Sequence, residues 1–226
     1  TGWTVAAMAQ IFHQSTNVIS RFSLLAAFGL AAGTIGVIMA VERSAYRTYE
    51  GVVFAQPVPF SHDHHTAALG IDCRYCHTSV ERSAFANVPA TEVCMNCHKE
   101  IWKDSPMLEP VRASLRTGEP IRWNRVHDLP DFVYFNHAIH VKKGVGCDTC
   151  HGPVNEMPLL RRGASLQMQW CLDCHRRPEK FVRPPEEVFN WDWERPAGDP
   201  DYGRKLVAAA AIDDSRRLTS CSTCHR

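Results

Sequence analysis

The chain has 226 residues and a formal net charge of +1, which excludes the strongly basic balance of a nucleic-acid binder and allows one domain or two small ones. Ten Cys and 12 His are far more than an ordinary intracellular domain of this size carries. Such a Cys count suggests the disulfides of an exported protein or a set of zinc sites, and the placement of the residues turns both readings aside.

Residues 1–21 are mostly uncharged, with Trp3, Met8, Ile11 and Phe12, and read as a cytoplasmic or interfacial segment. Phe22–Val41 is a run of 20 residues without a charge, FSLLAAFGLAAGTIGVIMAV. That length spans the hydrocarbon core of a bilayer as a helix. A signal-peptide apolar region is shorter, about 7–15 residues, and no convincing cleavage site follows here. The expectation is an uncleaved transmembrane helix over 22–41. Arg21 on one flank and Arg43 and Arg47 on the other do not decide its orientation. Gly29-x-x-x-Gly33 and Gly36-x-x-x-Ala40 place small residues one turn apart, which lets partner membrane helices approach.

Residues 50–226 hold every Cys, and every Cys belongs to a C-x-x-C-H unit. The five units are Cys73/Cys76/His77, Cys94/Cys97/His98, Cys147/Cys150/His151, Cys171/Cys174/His175 and Cys221/Cys224/His225. This is the spacing of c-type haem attachment: two thiols form thioethers to the haem vinyl groups, and the following His supplies the proximal nitrogen to iron. Zinc ribbons repeat C-x-x-C without requiring His after each second Cys. A redox dithiol explains one unit, not five with His each time. The implied cofactor is five covalently bound haem c. Attachment occurs on the side of the membrane away from the cytoplasm. The expected arrangement is therefore single-pass in a bacterial inner membrane, with the N-terminus cytoplasmic and the haem domain periplasmic. Five haems in this span leave roughly 35 residues each, too few for a protein core to fold unaided, so the haems are expected to be the core. The fold class follows: mainly α and irregular, haem-packed, with little sheet and one N-terminal transmembrane helix. Short helices are expected after the motifs.

The haem body carries an internal repeat. Phe60-Ser61-His62-Asp63-His64-His65 precedes the first two motifs, and Phe135-Asn136-His137-Ala138-Ile139-His140 precedes the next two; both read F-x-H-x-x-H. Two haem-pair modules result, about 60–98 and 135–175, joined by segment 99–134. The fifth motif, 221–225, follows a Pro- and Trp-containing stretch at 183–200 and an expected helix at about 201–213.

Low-spin electron-transfer haems need a second axial ligand. The repeat singles out His62, His65, His137 and His140; at i, i+3 the two rings of each pair share a face and can serve neighbouring haems. His127 makes the fifth distal candidate. Met168, three residues before Cys171, and His64 are the alternatives, with Met157 a further thioether. His13 precedes the apolar run and is not expected to ligate. Arg74, Arg82, Arg161, Arg162, Arg176 and Arg177 lie near motifs, where they either pair with haem propionates or stand as solvated charge.

F-x-H-x-x-H ahead of C-x-x-C-H resembles the small multihaem cytochromes of the c3 and c7 type. The longer runs RVHDLPDFVYFNHAIHVKKGVGCDTCHGPV and LQMQWCLDCHRRPEKFVRP, with five motifs and one anchor, resemble the pentahaem subunit of alternative complex III. That resemblance implies an electron-relay subunit with no substrate chemistry of its own. Its implied partners are integral membrane quinol-binding subunits, an iron–sulfur subunit, and a monohaem cytochrome c or small copper protein as acceptor. The alternative is a membrane quinol dehydrogenase cytochrome of the NapC/NrfH type. That family places Met just after its first motif, where this chain has Thr78, Ser79 and Val80. A multihaem enzyme is a third reading, and it needs an iron with an open position.

Overall fold

The computed structural model describes residues 11–225. Trp3 and Met8 of the N-terminal segment lie outside the described residues. The chain divides into two compact units, one up to Arg47 and one from Thr48.

The first unit is essentially one helix, α1 (Ser15–Arg43), 29 residues long and with no buried residue. It exceeds the expected 22–41 at both ends. Charges mark where an apolar run stops, whereas Asn17, Ser20, Glu42 and Arg43 are all compatible with helical backbone. Ser44 ends the helix by turning extended at ψ 161° while its N–H and Oγ both bond the Val41 carbonyl. Among the described residues α1 is the one helix long and apolar enough to cross a membrane. A helix apolar all round, with Leu24, Phe28, Leu30 and Ile35 exposed, has no aqueous face and calls for lipid or other apolar helices.

After the single turn α2 (Ala45–Thr48), the second unit is built from short helices joined by irregular chain: α3 (Cys73–Cys76), α4 (Thr91–His98), α5 (Glu109–Thr117), α6 (His137–Lys142), α7 (Cys147–His151), α8 (Met168–Arg176), α9 (Tyr202–Ala209), α10 (Ser215–Leu218) and α11 (Cys221–Cys224). Among the described residues there is no sheet, only isolated bridges such as Val145 with Val182. The helices contain the motifs rather than follow them. One turn of helix is what sets two Cys three positions apart on one face. Local caps start these turns: Asp72 accepts from Arg74 N–H at 2.8 Å, Asn136 from Ile139 N–H at 3.4 Å and Asp214 from Arg217 N–H at 3.0 Å. The helix expected at 201–213 ends at Ala209, and Ala211 adopts φ 46° before α10 begins.

Buried apolar side chains are few and dispersed. One cluster joins Val58, Leu108 and Val111, with Cys94, Met95, Ile121 and Trp123 packed against it. Segment 99–134 is thus folded, through α5, against the second motif. Elsewhere single residues such as Met157, Val182 and Val188 fill small gaps. That is far less apolar packing than a unit of this length uses when protein alone forms its core.

Candidate functional site

The F-x-H-x-x-H repeat is also a structural repeat. Phe60 stacks on His65 at 4.4 Å between centroids and meets His62 edge-on at 4.8 Å. Phe135 does the same with His140 at 4.6 Å and His137 at 4.7 Å. Each phenylalanine thus touches both imidazoles of its pair, one face-on and one edge-on. Their role was visible in the sequence only as a repeated letter. The backbone beneath differs: the first copy runs as a wide π-type turn over Asp63–Ala68, the second as α6.

Hydrogen bonds set the imidazole tautomers. Nδ1 donates to a backbone carbonyl in His77 (Asn87, 2.6 Å), His98 (Ile101, 3.0 Å), His175 (Leu218, 2.9 Å) and His225 (Phe132, 3.0 Å). The same holds for His65 (Ser61, 2.7 Å), His137 (Ala84, 2.9 Å) and His140 (Asn136, 2.8 Å). A carbonyl only accepts, so Nδ1 carries the proton and Nε2 keeps its lone pair for a metal. Nε2 of His127 is buried without a hydrogen-bond partner, as is Nδ1 of His62.

Three imidazole pairs stand at one separation. His65 lies 6.1 Å from His98, His140 lies 6.2 Å from His175, and His137 lies 6.3 Å from His151, ring centroid to centroid. Two imidazoles on opposite sides of one iron, each with a metal–nitrogen bond of ~2 Å, put their centroids about 6 Å apart. In each pair one member comes from an F-x-H-x-x-H run and the other from a C-x-x-C-H motif. The residues present fit axial ligation of haem iron. His127 sits 4.2 Å from His151, too close to share an iron across it. His225 has Phe132 as its ring neighbour at 5.8 Å.

Burial favours the neutral ligands. Desolvation lowers His62 and His127 to about 4 and His151 to about 3, and it also lowers His137 and His140. The thiols move the other way: burial pushes Cys147 and Cys150 up to about 12 and Cys174 up to about 11. Cys73, Cys76, Cys94 and Cys171 are also raised, first by burial. A redox dithiol or a zinc thiolate site needs its thiols lowered by nearby positive charge. Among the described residues no group of three or more His, Cys, Asp or Glu converges as a metal site.

The alternatives and the arginines are sorted by their contacts. His64 is exposed and stacks on Trp102 at 6.1 Å. Met168 is 67% exposed on the first turn of α8, whereas Met157 is fully buried among protein atoms. Arg162 is a correction to the propionate expectation: it is buried, and its guanidinium donates to the carbonyls of Thr48, Val126 and Asp128. Arg74 pairs with Asp72 at 2.7 Å and Arg176 with Asp173 at 3.7 Å. Arg183, which no motif marked, is buried and makes a two-pronged bond to Asp148 inside the third motif at 2.7 and 2.8 Å.

Residues 133–226, which hold the second F-x-H-x-x-H run and three of the motifs, match the family of cytochrome c7 and related cytochrome c. Over 97 residues, 42% of this chain, the sequence is 34% identical to the menaquinone reductase multihaem cytochrome c subunit of Nitratidesulfovibrio vulgaris Hildenborough. The match spans 45% of that relative, so this chain covers less than half of its length. With the geometry above, the chain is mainly helical and irregular, and residues 133–226 make a cytochrome c7-like domain of the multihaem, electron-transporting kind.

Proposed function

We propose that the chain is the haem-bearing electron-relay subunit of a membrane quinone-linked oxidoreductase, anchored by α1 and holding five haem c groups on the periplasmic side. The carrying observation is the three imidazole pairs at 6.1, 6.2 and 6.3 Å, each joining a repeat His to a motif His. Haem c supplies one-electron redox chemistry at iron when bound. The chain's own part is to fix position and environment. Cys73/Cys76, Cys94/Cys97, Cys147/Cys150, Cys171/Cys174 and Cys221/Cys224 would tether the haems. His77, His98, His151, His175 and His225 would each supply one nitrogen to iron. His65, His137 and His140 would supply the second nitrogen to the irons held by His98, His151 and His175. The repeat symmetry gives His62 to His77, and His127 is the remaining imidazole.

The name of the relative supports a quinone-side partner, and the resemblance to alternative complex III supports membrane quinol-binding subunits, an iron–sulfur subunit and a small soluble acceptor. The test is a pyridine haemochrome assay on denatured, fully matured chain. Five haems per chain is the expected result, and three or fewer defeats the reading.

One observation favours a second reading at a single site. Among the described ring contacts His225 faces Phe132 and not a second imidazole, and, unlike His77, it has no repeat histidine given to it by symmetry. If that iron takes no ligand from the chain, it is open to small molecules. Reduced protein binding one equivalent of carbon monoxide would identify that case. Almost no binding is expected of a relay, in which His127, or in its place Met168 or His64, would close the position.

A further inference from the structure

We infer that the five attachment sites stand in one unbranched row in the order two, one, three, four, five, so that the row ends at the second and fifth motifs rather than at the first and fifth. This rests on the multihaem reading, but chain order does not imply it.

Sites one and two are joined inside their motifs: Asn96 Nδ2, between Cys94 and Cys97, donates to Tyr75 Oη, between Cys73 and Cys76, at 3.0 Å. Sites one and three are joined twice. Just past the first motif, the Ala84 carbonyl accepts from both Nδ1 and the backbone N–H of His137, at 2.9 and 3.1 Å, and His137 faces His151. Independently, segment 182–190 braces both motifs. The Arg74 guanidinium lies 4.6 Å over the Phe189 ring, and the neighbouring Val188 carbonyl accepts from Cys147 N–H at 3.3 Å. Sites three and four share α6, whose His137 and His140 face His151 and His175 respectively. Sites four and five meet where His175 Nδ1 donates to the Leu218 carbonyl at 2.9 Å, at the end of α10 and just before α11. The fifth motif is also held by the segment just before α6, through Tyr134 N–H to the Cys224 carbonyl at 2.9 Å and His225 Nδ1 to the Phe132 carbonyl.

Burial grades along this row in the expected way. Of the ten Cys, Cys97 and Cys221 are the exposed ones, and they belong to the two end sites. The middle place is the third motif, where burial acts most strongly on both thiols and on His151. On the flank of site two, polypeptide and not another motif packs: Leu108 and Val111 lie against Cys94 and Met95. Segment 99–134 then carries the chain from that end past the fifth motif, which Phe132 and Tyr134 touch, and on to α6.

The consequence concerns partners. The rate of electron tunnelling falls steeply with distance, so outside redox centres must approach site two or site five. Site one, nearest to α1 in sequence, is interior.

The haem-loaded full chain in its native membrane complex tests this by electron cryomicroscopy, with each iron identified by its Cys pair. The expected order is two, one, three, four, five. Site one at an end, or site two beside three, four or five, overturns it. A redox titration gives a second measurement. Loss of the end haem in C221A/C224A should shift the midpoint potential of one remaining haem, and loss of the interior haem in C73A/C76A should shift two. The reverse pattern also overturns the row. The haemochrome count keeps the two ideas apart: five haems in another order defeats the row alone, whereas three or fewer defeats the five-haem reading on which it rests.

Discussion

An imidazole binds iron only through an unprotonated nitrogen, and in this chain the backbone selects that nitrogen. Seven ring Nδ1 atoms donate to carbonyls, which leaves Nε2 free in His65, His77, His98, His137, His140, His175 and His225. A specific expectation follows for His140, which stands 6.2 Å from His175. His140→Ala should turn one iron high-spin and let reduced protein bind one equivalent of carbon monoxide, whereas His64→Ala should leave every haem low-spin. Optical and electron paramagnetic resonance spectra decide it, and an unchanged His140→Ala spectrum removes that residue from the ligand set. A second expectation concerns Gly163. A Cβ there would meet the His151 carbonyl and the Gly152 nitrogen at 2.5 Å, and Gly152 itself sits at φ +72°, so the backbone on which the third motif ends cannot easily retreat. Gly163→Ala should lower stability by about 1–3 kcal/mol through overpacking. Thermal unfolding of the haem-loaded protein measures it, and an unshifted midpoint would show that the two backbones part freely.

Single helical turns are the working elements of the haem body. Each is too short to be stable alone, since nucleation of a helix costs more than one turn returns. Caps such as Asp72 and Asp214 supply part of the deficit, and tethering both Cys of a turn to one rigid ring would supply more. Arg183 supports the third of these turns from outside. Its guanidinium bonds Asp148 in α7 and the Asn190 carbonyl at 3.0 Å, and it lies 4.9 Å from the Trp193 ring centroid. Asp148 is only partly buried, so Arg183→Met should cost about 2–3 kcal/mol, the range for a lost charge-assisted bond, rather than the larger toll of a fully buried pair. Chemical denaturation of the haem-loaded chain reads this directly. The contrasting element is α1, 29 residues with nothing buried. Deleting residues 1–45 should release a haem-loaded, water-soluble body that no longer assembles with membrane partners. Extraction of the full chain by carbonate alone would overturn the anchor.

For the molecule as a whole, the protein-only core is too small to hold the second unit together: one cluster around Val58, Leu108 and Val111, with isolated residues elsewhere. Stability should therefore depend on haem. Expression without the haem-attachment machinery should give chain that is largely unfolded by near-ultraviolet circular dichroism and rapidly degraded. A cooperative thermal transition in haem-free chain would contradict this.

Short-range chemistry is what the sequence by itself determined about this protein. C-x-x-C-H is a local geometry, the 20-residue apolar run meets a bilayer by length alone, and F-x-H-x-x-H sets two rings on one face by helical spacing. The repeated Phe–His–His contact was legible for the same reason, because a repeat in letters is a repeat in local side-chain packing. Relations between distant segments were not legible. Arg162 and Arg74 read alike beside their motifs, yet one is consumed by backbone carbonyls 34 to 114 positions away and the other stays half-exposed, paired with Asp72 and lying over Phe189. His127 read as a fifth distal candidate from its residue type alone, and only tertiary packing set its ring 4.2 Å from that of His151. The order of the motifs in space belongs to the same class. It depends on where segment 99–134 returns the chain and on how segment 182–190 braces the first and third motifs. Only long-range packing decides such contacts, since no local spacing encodes which of several equivalent turns will lie side by side.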